Sequence, residues 1–387
     1  MPNKEMLLIP GPTPVVDEIY DALTHETYAH TDPRFVKIFK NSLEMTKKLF
    51  NTDGEVFVIA GSGTLAMEIA IINTIAPGEK LLVISHGYFG DRFVPLAKSF
   101  GIQVETIQAE WGQHVRKELV EEKLAEGGFK AVTVTHVDTS TGVMANLDQL
   151  VPVVKKSGAL FILDGVCAAA AVEEDMQKAY GDPAYTMDVV LTGSQKAIGV
   201  PPGLAIVAFG PRALAAREAM PAVTGYYSDI KNWLPIMNDP GKYYATPPVN
   251  MIYAFNKGME IVMSEGLGKR YQRHAALGRA VRAGLSVYGM KPLAPEETAA
   301  PTLSCILYPE GVIDAEFRAR LAQKGMVIAG ALASLSGKAF RIGHMGNATE
   351  KMFVKALELV GETLKEMGHE ADIEKAVAEF TKIYHSV

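Results

Sequence analysis

The strongest constraint on the fold of this chain is an alternation of two hydrophobic patterns between about residues 55 and 210. Short, mostly apolar runs are typical of β-strands that are buried on both faces of a sheet. These runs lie at residues 56–60, 81–85, 104–107, 131–135, 160–163 and 189–192. Stretches with helical spacing lie between most of them, at residues 65–75, 93–100, 119–125 and 147–154. Strands joined by amphipathic helices predict an α/β fold with a mostly parallel central sheet flanked by helices.

The rest of the chain predicts a second, smaller unit. A further strand at residues 204–209 follows a Pro-Pro-Gly turn, which allows it to run antiparallel, and residues 221–248 show no clear period. Such a long aperiodic loop is usually functional or buried at an interface. Helices are predicted at 250–265, 271–288, 314–323, 350–367 and 374–384, and strands at 302–308 and near 327 and 340. A chain of 387 residues is too long to fold around one simple hydrophobic core. We therefore expect an N-terminal arm (1–20), a large domain (21–265) and a small C-terminal α+β domain (266–387).

Composition and charge argue against several kinds of partner. The net charge is −6 and no lysine/arginine-rich block is present, which argues against nucleic acid or an anionic membrane surface as a main partner. The sequence has no apolar run of roughly 18 residues, the length that would suggest a membrane span, and the apolar stretch at its start is too short for a signal peptide. Cys167 and Cys305 sit in apolar surroundings without metal-ligand spacing, which predicts buried thiols, no metal site and a cytoplasmic location.

Two ionisable residues follow neighbouring apolar strands. Lys196 lies in a small-residue turn after the run 189–192, and Asp164 ends the run 160–163. A lysine held beside apolar surface can lose its proton near neutral pH and attack a carbonyl carbon to form a Schiff base. An aspartate at the carboxyl end of a strand can keep a pyridine nitrogen protonated. Pyridoxal 5'-phosphate requires both roles from a protein, so the pair predicts an enzyme that binds this cofactor covalently.

The turn Gly61-Ser62-Gly63-Thr64 follows a strand and opens a helix. Backbone amides at such a turn, together with the helix dipole, bind a phosphate dianion well. By itself the turn is equally typical of ordinary helix capping. It also matches a Gly-x-Gly-x-x-Ala dinucleotide fingerprint, which keeps an NAD-dependent dehydrogenase as an alternative. That fingerprint calls for an acid at the end of the next strand, where this chain has His86.

Three further features have both a functional and an ordinary interpretation. Tyr88 or Phe89 could stack on a heteroaromatic cofactor or simply cap the sheet, and spacing does not separate the two rings. The hydroxyl cluster 139–141 could donate to a phenolate or phosphate, or serve an ordinary turn, and His136 is more typical of a structural histidine than of a catalyst. Arg341, in an apolar edge of the small unit, could bind a substrate carboxylate or form a structural ion pair.

Taken in order, these motifs resemble the fold-type I pyridoxal-phosphate enzymes of aminotransferase class V, and within them the alanine–glyoxylate / serine–pyruvate aminotransferase group. The resemblance runs from residues 8–13 through 29–35 to 340–343. The most specific piece is Gly-Ser-Gln-Lys-x-x-x-x-Pro-Pro-Gly at residues 193–203. Cysteine desulfurases share the fold but typically carry histidine before the lysine, where this chain has Gln195.

The resemblance implies a role for each site residue. Lys196 would carry the cofactor as a Schiff base, Asp164 would bind its pyridinium nitrogen, and Arg341 would bind the substrate carboxylate, with Gly11 also at the substrate. The other implied cofactor contacts are Ser62, Gly63, Thr64 and Gln195 around the phosphate, Phe89 and Val166 on the two ring faces, Thr139 at the 3-oxygen, and Tyr243 and Thr246 on the phosphate of a neighbouring subunit. A homodimer with its active site at the subunit interface is therefore implied.

The implied reaction is a ping-pong transfer of an amino group from alanine or serine to glyoxylate or pyruvate. The chain departs from the group's pattern at Phe89, where tryptophan is frequent, at Asp138, where glutamate is usual, and at Thr31, where arginine is common. These departures leave the amino donor open. Ureidoglycine and aminoethylphosphonate remain alternatives, since the cofactor contacts would look alike.

Overall fold

A computed structural model describes residues 5–386 of the chain. Within them the strands are β1 (Met6–Leu7), β2 (Glu55–Ala60), β3 (Lys80–Ser85), β4 (Gln103–Gln108), β5 (Phe129–Thr135), β6 (Val137–Asp138), β7 (Val143–Met144), β8 (Leu160–Asp164), β9 (Val189–Gly193), β10 (Leu204–Phe209), β11 (Lys291–Pro292), β12 (Leu303–Leu307), β13 (Met326–Val327), β14 (Ala329–Gly330) and β15 (Ala339–Gly343).

The helices of the same region are α1 (Asp17–Leu23), α2 (Pro33–Leu49), α3 (Gly63–Ile72), α4 (Tyr88–Asp91), α5 (Phe93–Ser99), α6 (Lys117–Ala125), α7 (Leu147–Lys156), α8 (Pro211–Ala219), α9 (Ile230–Asn238), α10 (Val249–Glu265), α11 (Leu267–Ser286), α12 (Asp314–Gln323), α13 (Glu350–Glu366) and α14 (Ile373–Tyr384). A short 3-10 helix spans Ala333–Leu335. No helix in residues 5–386 has both the length and the apolar character that crossing a membrane would require.

The central sheet has seven strands in the order β2-β10-β9-β8-β5-β3-β4. All neighbours are parallel except β10, which runs antiparallel to both β2 and β9. Every residue of β8, β9 and β10 is buried, because helices cover both faces of the sheet. The predicted α/β fold with a mostly parallel sheet is confirmed. The carboxyl ends of β2, β3, β5, β8 and β9 meet at one edge, where ligands of such sheets bind.

The prediction of a structureless segment at residues 221–248 is wrong in part, because α9 lies inside it. The side chain of Asp229 caps this helix by accepting from the Lys231 amide at 3.0 Å. Its apolar residues Ile230, Trp233 and Ile236 are spaced three apart and buried. The helix also contains Pro235, so packing rather than intrinsic propensity stabilises it. Helices α1, α2, α4 and α8 also had no counterpart among the predicted helices.

A second, four-stranded antiparallel sheet has the order β11-β12-β15-β14. Helices α11 to α14 contribute to the separate hydrophobic cluster beside it. The N-terminal segment joins this part of the molecule, since β1 pairs with β13 and the Gly343 amide donates to the Leu8 carbonyl at 2.8 Å. The segment therefore brings residues 9–13 toward the edge of the central sheet. The domain boundaries at residues 20 and 265 remain predictions.

Candidate active site

A cavity of about 140 Å³ lies at the carboxyl edge of the central sheet. It brings together nine of the predicted site residues: Ser62, Gly63, Thr64, Phe89, Thr139, Asp164, Val166, Gln195 and Lys196. Five lining residues had no predicted role: Met67, Arg92, Thr135, Val137 and Cys167. A larger groove of about 1040 Å³ lies along residues 5–21 and 347–352, but neither Lys196 nor Asp164 lines it. The chemistry-bearing residues thus meet in the smaller cavity.

The side chain of Lys196 is held by the N-terminal segment. Its Nζ donates to the Pro10 carbonyl at 2.5 Å. Gly11 has a φ of +121°, which favours glycine, and a Cβ there would lie 2.5 to 2.8 Å from Cδ, Cε and Nζ of the lysine, so a larger residue would displace the lysine side chain. On the other side, the Thr13 hydroxyl donates to the Lys196 carbonyl at 2.7 Å. The segment therefore fixes both the backbone and the amine of the lysine, and Gly11, expected at the substrate, lies against the lysine itself.

Arg270 braces the same turn and was not anticipated from the sequence. Its guanidinium is buried and donates to the carbonyls of Ala197 at 2.6 Å and Ala170 at 2.9 Å. Glu265 forms an ion pair with it. One arginine of α11 thus connects the residue after Lys196 with the loop that follows Asp164. An arginine on a helix with so many other polar residues gives no signal in the sequence.

Asp164 has a carboxylate that is 3 % exposed and takes part in no ion pair among residues 5–386. It accepts from the Val166 amide at 3.0 Å and from the Thr135 hydroxyl at 3.4 Å. Burial is the main cause that raises the pKa of Asp164 to about 7; the Val166 amide opposes this rise, and the charges of Asp138 and Glu174 contribute to it. A buried carboxylate without a cation is costly, so this site is suited to a cationic ligand.

The side chain of His136 pairs with Glu174. Its Nδ1 lies 2.7 Å from Oε1 of Glu174, and both side chains are buried. Burial raises the pKa of Glu174, against the effect of the imidazole. The structural interpretation of His136 agrees with this arrangement. The pair lies behind the loop of Asp164, since a Cβ at Gly165 would collide with the Glu174 carboxylate.

Phe89, and not Tyr88, lines the cavity, while the Tyr88 side chain is 45 % exposed. The amides of Phe89 and Gly90 donate to Oδ2 of Asp138 at 3.1 and 3.0 Å. Asp138 is fully buried, and burial raises its pKa against the effect of these hydrogen bonds. Asp138 therefore positions the backbone of the ring that faces the cavity. In the sequence Asp138 comes three residues after the apolar run 131–135, and nothing in that run indicates that its carboxylate accepts from the amides of Phe89 and Gly90.

The phosphate-binding residues predicted at the start of α3 lie at the cavity wall. Ser62 is the N-cap residue of this helix, and the side chains of Ser62 and Thr64 are exposed toward solvent. The buried side-chain oxygen of Gln195 has no hydrogen-bond partner among residues 5–386. Since the oxygen and nitrogen of a glutamine amide are exchanged by a flip, this amide is available to a ligand in the cavity. The turn therefore has the donors that a phosphate requires.

Arg341 and Thr139 are linked at the rim of the site. The arginine donates to the Gly330 carbonyl at 2.9 Å and to the Thr139 carbonyl at 3.4 Å, and it takes part in no ion pair within residues 5–386. The alternative of a structural ion pair thus has no support in this region. The Thr139 hydroxyl lies 2.6 Å from Sγ of Cys167, a contact that no feature of the sequence indicates.

Tyr243 and Thr246 do not line the cavity. Both are exposed, Tyr243 by 63 %, and their hydroxyls lie 3.4 Å apart. The Tyr243 ring packs against His30 with centroids 5.2 Å apart. The two residues are thus on an exposed surface of the chain and do not contribute to the cavity.

The family model of aminotransferase class V matches residues 12–334. This chain belongs to aminotransferase class V. It is 36 % identical over 369 residues to an uncharacterized aminotransferase of Methanocaldococcus jannaschii, covering 95 % of this chain and 94 % of that protein. It is 35 % identical to alanine–glyoxylate aminotransferase 1 of Saccharomyces cerevisiae, covering 88 % of this chain and 92 % of that protein.

Among solved structures, the ureidoglycine–glyoxylate aminotransferase of Bacillus subtilis superposes with a TM-score of 0.91 at 25 % identity. That match covers 100 % of this chain and 99 % of the other. This chain is therefore an aminotransferase with the fold-type I architecture, as predicted. Because the glycine turn belongs to this fold, and β3 is followed by His86 instead of an acid, the dehydrogenase alternative is set aside.

Proposed function

We propose that this class V aminotransferase binds pyridoxal 5'-phosphate and moves an amino group from alanine or serine to glyoxylate or pyruvate by a ping-pong mechanism. The observation that supports the proposal is that Lys196 and Asp164 line one cavity, where Asp164 is buried and forms no ion pair with any residue of the range 5–386. The similarity to an alanine–glyoxylate aminotransferase supports the choice of substrates. The buried, free thiols of Cys167 and Cys305 support a cytoplasmic location.

The residues of the cavity fit this cofactor. When bound, pyridoxal phosphate supplies an electron sink for the pair left by the Cα–H bond of an amino acid. Asp164 would hold the pyridine nitrogen in its protonated form, and Phe89 and Val166 would pack on opposite faces of the ring. Ser62, Gly63, Thr64 and Gln195 would donate to the phosphate, and the Thr139 hydroxyl would donate to the 3-oxygen.

Lys196 has two roles in the proposal. Its amine would hold the cofactor covalently, and as a free amine it would accept and return the proton of the substrate Cα as general base and acid. The hydrogen bond to the Pro10 carbonyl keeps the amine in the cavity. We further propose a homodimer in which Tyr243 and Thr246, exposed on one subunit, reach the phosphate at the other.

Arg341 would bind the substrate carboxylate, because its guanidinium has one N–H on Gly330 and one on Thr139 and no carboxylate partner among residues 5–386. Replacing it by alanine should raise the KM of amino acids and oxo acids roughly 30-fold or more, since a charge-assisted pair is lost. Steady-state kinetics on both substrates measures this. Lys338→Ala, which removes an exposed charge nearby, is the matched control. An unchanged KM in Arg341→Ala would refute the role.

The amino donor is tested by a half-reaction screen. Alanine, serine, aspartate, ureidoglycine and aminoethylphosphonate are each added alone to the cofactor-loaded enzyme, and the loss of the visible cofactor absorbance is followed. We expect alanine or serine to react fastest. Ureidoglycine is the second candidate, because the Bacillus subtilis enzyme named for it shares the fold over the whole chain. A fast reaction with ureidoglycine and a slow one with alanine and serine would replace the first proposal by the second.

A further inference from the structure

Arg92 lies at the wall of the cavity and is not among the site residues proposed above. It follows the short helix α4 and precedes α5, and its side chain is half-buried. Within residues 5–386, the cationic side chains that line the cavity are Arg92 and Lys196. Since Lys196 is committed to the covalent bond, Arg92 is the remaining positive charge that a bound anion would meet.

The guanidinium of Arg92 is already placed toward the phosphate-binding turn. Its Nη1 donates to the Thr64 hydroxyl at 3.4 Å. Its Cζ lies 4.7 Å from the centroid of the Phe89 ring, a distance at which a cation and an aromatic face attract each other. These two contacts hold the arginine between the start of α3 and the ring that faces the cavity.

Arg92 also has no anionic partner among residues 5–386, because none of the ion pairs in that region includes it. The neighbouring acid, Asp91, is engaged elsewhere: it accepts from the Ser85 hydroxyl at 2.7 Å and from the Gln108 amide at 2.9 Å. A half-buried guanidinium beside an anion-binding turn, without a carboxylate of its own, is suited to an external anion.

The other donors assigned to the phosphate are neutral. In the same chain they are the hydroxyls of Ser62 and Thr64, the amide of Gly63 and the side chain of Gln195. The proposed dimer adds the hydroxyls of Tyr243 and Thr246 from the other subunit, which are also neutral. A phosphate monoester carries close to two negative charges at neutral pH, and the helix dipole of α3 supplies only about half a charge of opposite sign. The cavity thus needs a full positive charge near Thr64, and Arg92 is positioned to supply it.

We propose that Arg92 is the cation that binds the phosphate of the cofactor from the Thr64 side, held in place by its contact with Phe89. This inference rests on the proposed function, because it assigns a further binding residue to the same site. It predicts that Arg92 contributes to the affinity for the phosphorylated form of the cofactor and not to the affinity for the unphosphorylated form.

This prediction is tested by equilibrium titration of the apo-protein, once with pyridoxal 5'-phosphate and once with pyridoxal. We expect Arg92→Gln to weaken pyridoxal 5'-phosphate on the order of 10- to 100-fold, the effect of losing a charge-assisted hydrogen bond, and to leave pyridoxal within about twofold. Arg92→Lys should lose less, because it retains the charge without the planar fork. Inorganic phosphate should compete less well for the Arg92→Gln protein than for the wild type.

The control variant is Lys98→Gln, which removes an exposed positive charge from α5 at a distance from the cavity and should change neither titration. Circular dichroism establishes that each variant is folded. Equal weakening of both ligands in Arg92→Gln, or no weakening, would overturn the inference, as would a raised KM for amino acids with an unchanged preference for the phosphorylated form. A wild-type protein that binds neither ligand would instead contradict the proposed function itself.

Discussion

Lys196→Ala should lower turnover by at least about 10³-fold while leaving a folded protein, because it removes both the covalent attachment point and the general base. Borohydride treatment of the cofactor-loaded wild type, followed by peptide mapping, should place the label on Lys196. The same treatment of the variant should give no stable label. Thermal unfolding of the apo-protein should change little, since the hydrogen bond of the amine with the Pro10 carbonyl is a single contact.

Lys196→Arg is the informative companion variant. It keeps a positive charge at the position, but a guanidinium stays protonated at physiological pH and cannot act as nucleophile or base. We therefore expect it to be as inactive as Lys196→Ala. Turnover close to the wild type in Lys196→Arg would mean that the charge of residue 196, and not its amine, is what the reaction needs. Labelling of another lysine in the wild type would contradict the covalent proposal directly.

Much of the central sheet could be predicted because its strands are buried on both faces. Runs such as β8 and β9 are apolar over most of their length, which indicates burial on both faces and favours parallel pairing. The antiparallel β10 was also foreseeable, since the short turn before it leaves no room for a crossover helix. Because the carboxyl ends of parallel strands lie at one edge of the sheet, the topology also predicted that Lys196 and Asp164 would lie close together there.

The parts that could not be predicted depend on tertiary contacts. Helix α9 has only nine residues and contains Pro235, so its helical pattern is too short to be recognised in the sequence. The segment is helical because Trp233 and its apolar neighbours are buried. In the sequence Asp138 stands out only as a departure from the group's usual glutamate, yet its carboxylate accepts from the amides of Phe89 and Gly90. Its function requires β3 and β5 to be side by side, which a single strand-end motif does not reveal.

Asp164→Asn should reduce turnover by two or more orders of magnitude with the cofactor still bound, because an amide cannot pair with a protonated pyridine nitrogen as a carboxylate does. Covalent attachment through Lys196 should be retained, since the lysine is held by Pro10 and Thr13 and not by Asp164. Single-turnover kinetics with the preferred amino acid measures the loss. An unchanged rate would remove Asp164 from the proposed role.

The same substitution should stabilise the apo-protein at alkaline pH, and the sign follows from the pKa of Asp164. Burial raises this pKa to about 7 from its ordinary value of 3.8, so the folded protein binds the proton more tightly than the unfolded chain. The free energy of unfolding of the wild type therefore falls as the pH rises from about 4 to about 7, and the cost is complete above pH 7. An asparagine side chain at this position carries no charge and avoids that cost.

Denaturant unfolding of the two apo-proteins at several pH values measures this effect. Between about pH 6 and pH 8 the wild type should lose about 1 kcal/mol relative to Asp164→Asn. Asp182→Asn, which removes an exposed carboxylate, should keep the pH dependence of the wild type. Parallel pH profiles for wild type and Asp164→Asn would mean that the carboxylate is stabilised by groups of the protein itself. If Asp164→Asn is more stable than the wild type at alkaline pH but has lost turnover, the carboxylate of Asp164 lowers the free energy of unfolding and is needed to bind a cation.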